Sequence, residues 1–151
     1  MRKSLDAILG DLKEREKERE RGTWKQALRQ RYAPWFDDLI YGFEFKEGWK
    51  AILGEAMEGL TKTIGAPQRH PELRITRLRQ EFGELTFQIK GLSDQELDAA
   101  IEVIRIASDR SLRTCEWCGR PGEMRNSAGG LRYTACERHA AADPPELAAQ
   151  S

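Results

Sequence analysis

The 151-residue chain contains only three cysteines, two histidines and six prolines, carries no net charge, and has no long apolar run. Each scarcity excludes something. No stretch approaches the roughly 20 apolar residues that span a bilayer. The opening Met-Arg-Lys-Ser-Leu-Asp turns charged before the apolar core of a signal peptide begins. With 25 basic against 25 acidic residues, there is no global polycation to coat DNA or a membrane. Gly-rich phosphate loops, nucleophile elbows and histidines beside a plausible nucleophile are all missing. Asp37-Asp38 is the only adjacent carboxylate pair that suggests magnesium. Neighbours on one element point apart, so a solvated turn is the simpler reading.

What is present is concentrated. Cys115 and Cys118 form a C-x2-C pair, and after 17 residues Cys136 and His139 form C-x2-H. All three cysteines and one of the two histidines fall in this pattern. Each short pair grips a metal from a tight turn, and the gap suits a small hairpin. This is the spacing of a structural zinc site with three thiolates and one imidazole. Iron at the same residues is the weaker alternative, because an imidazole is unusual in a simple iron–sulfur cluster. Four protein ligands leave no open position for water or substrate, so the zinc is expected to be structural. Cysteines committed to a metal leave no pair for a disulfide, which fits a reducing cytoplasm. Gly122–Met124 and Leu131–Thr134 are expected as two short strands of a zinc ribbon, joined through residues 126–130.

Upstream, the pattern is α+β. Leu5, Ile8 and Leu12 recur at helical spacing and run into Lys-Glu-Arg-Glu-Lys-Glu-Arg-Glu-Arg at 13–21. Residues 1–31 hold ten Lys/Arg against six Asp/Glu, a local +4. Opposite charges three apart, such as Glu14 and Lys17, are offset by like charges four apart, such as Glu14 and Glu18. The segment reads as an exposed helix or arm interrupted at Gly22. Thr23 is a candidate N-cap for a helix to Tyr32, which Ala33-Pro34 ends. The aromatic stretch from Trp35 to Phe43 is expected to be core, with all four rings buried. Trp49, Ile52, Met57, Leu60 and Ile64 suit an amphipathic helix stopped by Gly65-Ala-Pro67.

The period then changes from helical to alternating. Leu73 and Ile75, then Leu85, Phe87 and Ile89, predict a β-hairpin turning near Phe82-Gly83-Glu84. Ser93-Asp94-Gln95-Glu96 is a capping box. It opens a helix to about Arg113, with Leu97, Ile101, Ile104 and Ser108 in one stripe beside Ala100, Val103 and Ala107. The fold class is therefore α+β: N-terminal helices, a β-hairpin, a long helix and a C-terminal zinc ribbon. Its expected units are a charged arm at 1–22, a small domain at 23–113, the ribbon at 114–140 and a disordered tail at 141–151.

His70-Pro71-Glu72 ahead of a C-x2-C is similar to the zinc-binding segment of nucleobase deaminases. The separation from Cys115 is too long, Thr114 stands where a proline belongs, and Cys136 with His139 already completes the site. Pro71 is read instead as the start of the hairpin strand. On the ribbon, Trp117, Arg120, Arg125 and Arg132 are the candidate partner-binding residues. Packing within the module is the simpler role for Trp117, since so small a unit needs the ring for its own core. Glu116, Glu123 and Glu137 interleave with the arginines, and the mixed charge favours protein recognition over electrostatic coating of DNA.

Three strings carry a resemblance. They are Glu47-Gly48-Trp49, then Arg79-Gln80-Glu81-Phe82-Gly83-Glu84-Leu85-Thr86-Phe87, and Arg113-Thr114-Cys115-Glu116-Trp117-Cys118-Gly119-Arg120-Pro121-Gly122. Together they resemble a group of small bacterial and phage-associated proteins with the strings DGW, KEKFGGLRF and RTCEVCGxPG. The similarity spans roughly residues 24–140. This chain departs from the pattern at Gln80, where a lysine–acid pair usually precedes Phe-Gly. The resemblance implies a phage or prophage setting and an accessory role, and transfers no site beyond the four metal ligands. The functional expectation is a non-enzymatic zinc-stabilised binding protein that modulates a larger bacterial complex, transcriptional or defence-related. Binding of DNA or RNA by the ribbon arginines and the basic N-terminal helix is the second expectation.

Overall fold

The computed structural model describes residues 4–140, so the tail expected at 141–151 lies outside the described residues. Helix α1 (Leu5–Arg19) starts where the Ser4 hydroxyl accepts the Ala7 N–H. Helix α2 (Trp24–Arg31) is capped by Thr23, as its sequence predicts. A two-residue strand β1 (Phe43–Glu44) and a 3-10 turn (Glu47–Trp49) lead into α3 (Lys50–Ile64). The predicted hairpin is β2 (Arg74–Glu81) and β3 (Glu84–Lys90). Helix α4 (Asp94–Ser111) opens with both bonds of the Ser93–Glu96 capping box in place. The ribbon strands are β4 (Glu123–Asn126) and β5 (Arg132–Ala135).

Two sheets result. The larger has the order β1-β2-β3, with β1 parallel and β3 antiparallel to β2. The smaller is the β4–β5 hairpin. β1 was not legible as a strand: two residues inside an aromatic run show no period, and only the pairing of Phe43 with Leu78 and of Glu44 with Arg79 defines it.

Helices α3 and α4 pack together, and α4 lies on β3. Trp35, Phe36, Leu39, Met57, Leu60 and Leu78 belong to one buried cluster, and Trp49, Ile52, Ala56, Leu85 and Ala107 form another. Phe45 and Phe87 touch both, which makes the two clusters one continuous interior. Each wholly buried indole also finds a hydrogen-bond acceptor: Trp35 Nε1 donates to the His70 carbonyl and Trp49 Nε1 to the Thr114 carbonyl, both at 2.9 Å.

Two expectations need correction. Of the four rings between Trp35 and Phe43, Tyr41 is 50% exposed; it lies at the surface with the Arg77 guanidinium 4.4 Å from its ring centroid. On α4, Ile101 is 49% exposed. The buried face is centred on Ala100, Ala107, Ser108 and Ser111, small residues that let the helix sit close to its neighbours. Ser108 Oγ donates to the Leu85 carbonyl and Ser111 Oγ accepts the Leu85 N–H, so the helix pins β3 through its backbone.

The charged segment of α1 behaves largely as its spacing implies. Glu14–Lys17, Glu16–Arg19 and Glu18–Arg21 pair across three residues on the exposed face. Glu20 departs from that pattern, being 3% exposed. It is held by Arg29, whose guanidinium also donates to the carbonyls of Phe36 and Leu39. One arginine thus fastens the end of α1, α2 and the following loop together. Truncating it leaves the buried Glu20 carboxylate without its cation, while the Phe36 and Leu39 carbonyls keep only the N–H groups of Leu39 and Gly42. Arg29→Ala is expected to cost about 3 kcal/mol or more. Chemical denaturation should show it, whereas Arg19→Ala at the end of α1 should be nearly neutral.

Candidate metal centre

The last turn of α4 delivers the chain into a tight turn. Thr114 Oγ1 donates to the Arg110 carbonyl, and Cys115 N–H donates to the Arg120 carbonyl at 2.7 Å. Gly119 N–H returns to the Cys115 carbonyl, with Gly119 at φ 79°, a conformation that favours glycine. This turn presents Cys115 and Cys118. A second turn follows β5, where the N–H groups of His139 and Ala140 both donate to the Cys136 carbonyl. It presents Cys136 and His139.

The hairpin between the two turns brings them face to face. Cys118 Sγ lies 3.7 Å from Cys136 Sγ. His139 Nδ1 lies 3.5 Å from Cys115 Sγ and 3.3 Å from Cys136 Sγ. All four donor atoms are within 4.8 Å of one another. A tetrahedral ion bound by sulfur at about 2.3 Å and nitrogen at about 2.1 Å requires ligand edges of about 3.5–3.8 Å. Three of the spacings come close to these edges, so the group is compatible with such an ion, and Nδ1 is the ring nitrogen that faces the sulfurs.

The surroundings prepare the donors. Trp117 stacks on the His139 ring at 6.0 Å and 13°, and meets Tyr133 edge-on at 5.9 Å. It is half-buried there, clamping the imidazole with Nδ1 inward. The backbone N–H of His139 stabilises the Cys136 thiolate and, helped by the His139 ring and the other cysteines, lowers its pKa to about 6. Burial pushes the Cys115 thiol the other way. A dication offsets that cost by compensating the thiolate charge.

The ribbon is seated on the body through backbone contacts. The Gly48 N–H donates to the Glu116 carbonyl at 2.7 Å, and the Lys46 N–H donates to Glu116 Oε2 at 3.1 Å. A Cβ at position 48 would stand 2.2 Å from the Cys115 carbonyl oxygen and 2.4 Å from that of Glu116. Only glycine permits this approach. On the other side Thr134 Oγ1 donates to the Gly83 carbonyl at 2.7 Å, and Gln80 Nε2 donates to the Arg132 carbonyl. The three strings singled out in the sequence therefore meet in space around the metal-binding turn. Glu116 itself is fully buried, and burial raises its carboxyl pKa to about 7 against the opposing Lys46 N–H.

Other sequence candidates lie elsewhere. His70 sits between α3 and α4, with Nε2 donating to the Ile64 carbonyl and Nδ1 facing Glu96 at 3.2 Å. It fastens the helices and is outside the metal-ligand group. Asp38 is engaged by Lys13 at 2.9 Å and Arg74 at 3.6 Å, so both faces of that carboxylate meet cations of the protein. Arg120 and Arg132 are exposed, whereas Arg125 is half-buried, donating to the Ala135 carbonyl and pairing with Glu123. The seat residues Gly48 and Glu116 were missed as a pair, because nothing in a linear string says that a glycine packs on a carbonyl 68 residues away. Among the described residues no helix is long and apolar enough to cross a membrane.

No protein-family model matches the chain, no curated protein is significantly similar to it, and no solved structure resembles it.

Cys118→Ser, or chelation of a bound metal, is expected to release residues 115–139, since metal ligation in such modules supplies on the order of 10 kcal/mol of folding free energy. Trypsin should then cut at Arg125 and Arg132, with the 23–113 region still protected. Gly48→Ala is expected to destabilise the fold by about 3 kcal/mol, because the clash is with backbone atoms that have no rotamer to change. A melting temperature lowered by several degrees checks this.

Proposed function

We propose that this protein is a non-enzymatic, zinc-stabilised binding factor of phage or prophage setting, which modulates a larger bacterial complex by protein–protein contact. The observation that carries the reading is the donor group itself: three sulfurs and one imidazole converge within 4.8 Å of one another, with three spacings near ligand-edge distances. Three thiolates and an imidazole select zinc over harder cations. Four protein donors complete a tetrahedral sphere, so zinc here shapes the chain rather than activating water.

The site's place in the fold supports the same reading. The ribbon is fixed to the body at Gly48 and Trp49 through the metal-binding turn and at Gly83 through β5, so zinc sets the geometry of a surface shared by the ribbon and the β2–β3 turn. The phage setting and the transcription or defence complex rest on the resemblance of the three strings. Nucleic-acid binding is the alternative, and it draws on exposed Arg120 and Arg132. Against it, Lys17, Arg19 and Arg21 on the basic helix are each paired with a glutamate three residues earlier.

Salt-dependent binding separates the two. The zinc-loaded chain is expected to bind random duplex DNA no tighter than about micromolar at physiological salt, with no change in slope for Arg120→Ala and Arg132→Ala. Tighter binding whose salt slope drops by about one per arginine removed would favour nucleic acid.

A further inference from the structure

The tip of the β2–β3 hairpin makes three unfavourable local choices in four residues. Phe82 and Gly83 form a two-residue turn in which both central φ values are positive, 53° and 85°. Such turns favour Asn-Gly or Asp-Gly, and a bulky aromatic at the first position is strained. Phe82 is the only non-glycine residue with positive φ among the described residues. Burial does not compensate the strain, because Phe82 is 75% exposed, the highest of the exposed large apolar side chains. The closing pair sets Glu81 directly across from Glu84, placing like charges opposite one another. Arg79 relieves only Glu81, at 2.9 Å.

This tip is rigidly mounted. Gly83 accepts from Thr134, and Met124 of β4 lies against it, close enough that a Cβ on Gly83 would meet its Sδ at 2.7 Å. Met124 is itself 41% exposed, so Phe82 and Met124 present neighbouring apolar surface from the body and the ribbon. Local choices that disfavour the free fold, gathered at one point, mark a surface selected for something other than folding.

We propose that the Phe82–Met124 tip is an anchor that inserts into an apolar pocket rimmed by lysines and arginines on a folded partner protein. The pocket desolvates the ring, and its cationic rim meets Glu81 and Glu84, which flank it. The same carboxylates repel phosphates, which disfavours base stacking on Phe82 by single-stranded nucleic acid. The inference rests on the protein-binding reading and gives it a location away from the ribbon arginines.

The test uses the full zinc-loaded chain. Phe82→Asn suits the turn, so the melting temperature is expected to rise by about 2–4 °C with zinc content unchanged. A fall of similar size would show that Phe82 holds the fold, and would overturn the proposal. A benzophenone amino acid replacing Phe82, irradiated in bacterial lysate, is expected to attach to one protein, at a peptide lining an apolar pocket with Lys/Arg at its rim. Adding Glu81→Lys and Glu84→Lys is expected to lower that yield at least ten-fold. Attachment to nucleic acid or to a second copy of this chain, or a yield indifferent to the charge reversal, overturns the anchor. If capture is instead lost only on Arg120→Ala and Arg132→Ala, the anchor fails while the binding reading stands. A chain that captures nothing through either surface defeats both.

Discussion

The short bond from the Gly48 N–H to the Glu116 carbonyl is the joint on which this architecture turns. It exists because position 48 has no side chain, and it brings the backbone of a 3-10 turn against the metal-binding turn. Around it cluster the Trp49 indole on the Thr114 carbonyl and the Lys46 amide on the Glu116 carboxylate. Trp49 belongs to the interior built by α3, β3 and α4, so the same few residues end the hydrophobic core and begin the ribbon. Metal ligation and core packing are thereby coupled through a handful of backbone contacts. Neither has to be large for the coupling to be strict, since the central Gly48–Glu116 contact joins two peptide groups and the Trp49 and Glu116 side chains beside it are wholly buried.

The chain uses buried charge sparingly and in two distinct ways. Glu20 is buried with its partner, and Arg29 spends its remaining donors on carbonyls, so the ion pair is also a satisfied hydrogen-bond centre. Glu116 is buried with one oxygen accepting from Lys46 and the other unpaired. Its raised pKa is the expected response of a carboxyl lacking a cation. The first case resembles a rivet between elements. The second places an adaptable proton beside the seat of the ribbon, where water has been excluded.

Much of this was legible in the linear chain, and the limits of legibility have physical reasons. The four metal ligands follow from spacing alone, because a metal imposes short-range geometry on each pair. Helices α2, α3 and α4 and the β2–β3 hairpin follow from caps and periods, which are local signals. What failed was non-local. β1 is a strand only because β2 lies beside it, Tyr41 stays at the surface against the Arg77 guanidinium, and Ile101 is exposed because α4 turns its alanines and serines inward, the serines onto β3. Glu20 looked like one more member of a solvated charge run until Arg29, nine residues on, gave it a partner. The Glu-Gly-Trp string was visible as a motif, while its purpose needed the Cys115–Glu116 carbonyls to be brought to it.

Hydrogen exchange, measured on the chain with one equivalent of zinc and again after chelation, tests the central claim most directly. If the metal centre and the body share the Gly48–Glu116 joint, removing the metal raises exchange in residues 115–139 and also at Gly48 and Lys46, while α3 stays protected. A chain that takes up no zinc, or one that loses protection in the ribbon alone with Gly48 unchanged, would contradict the account.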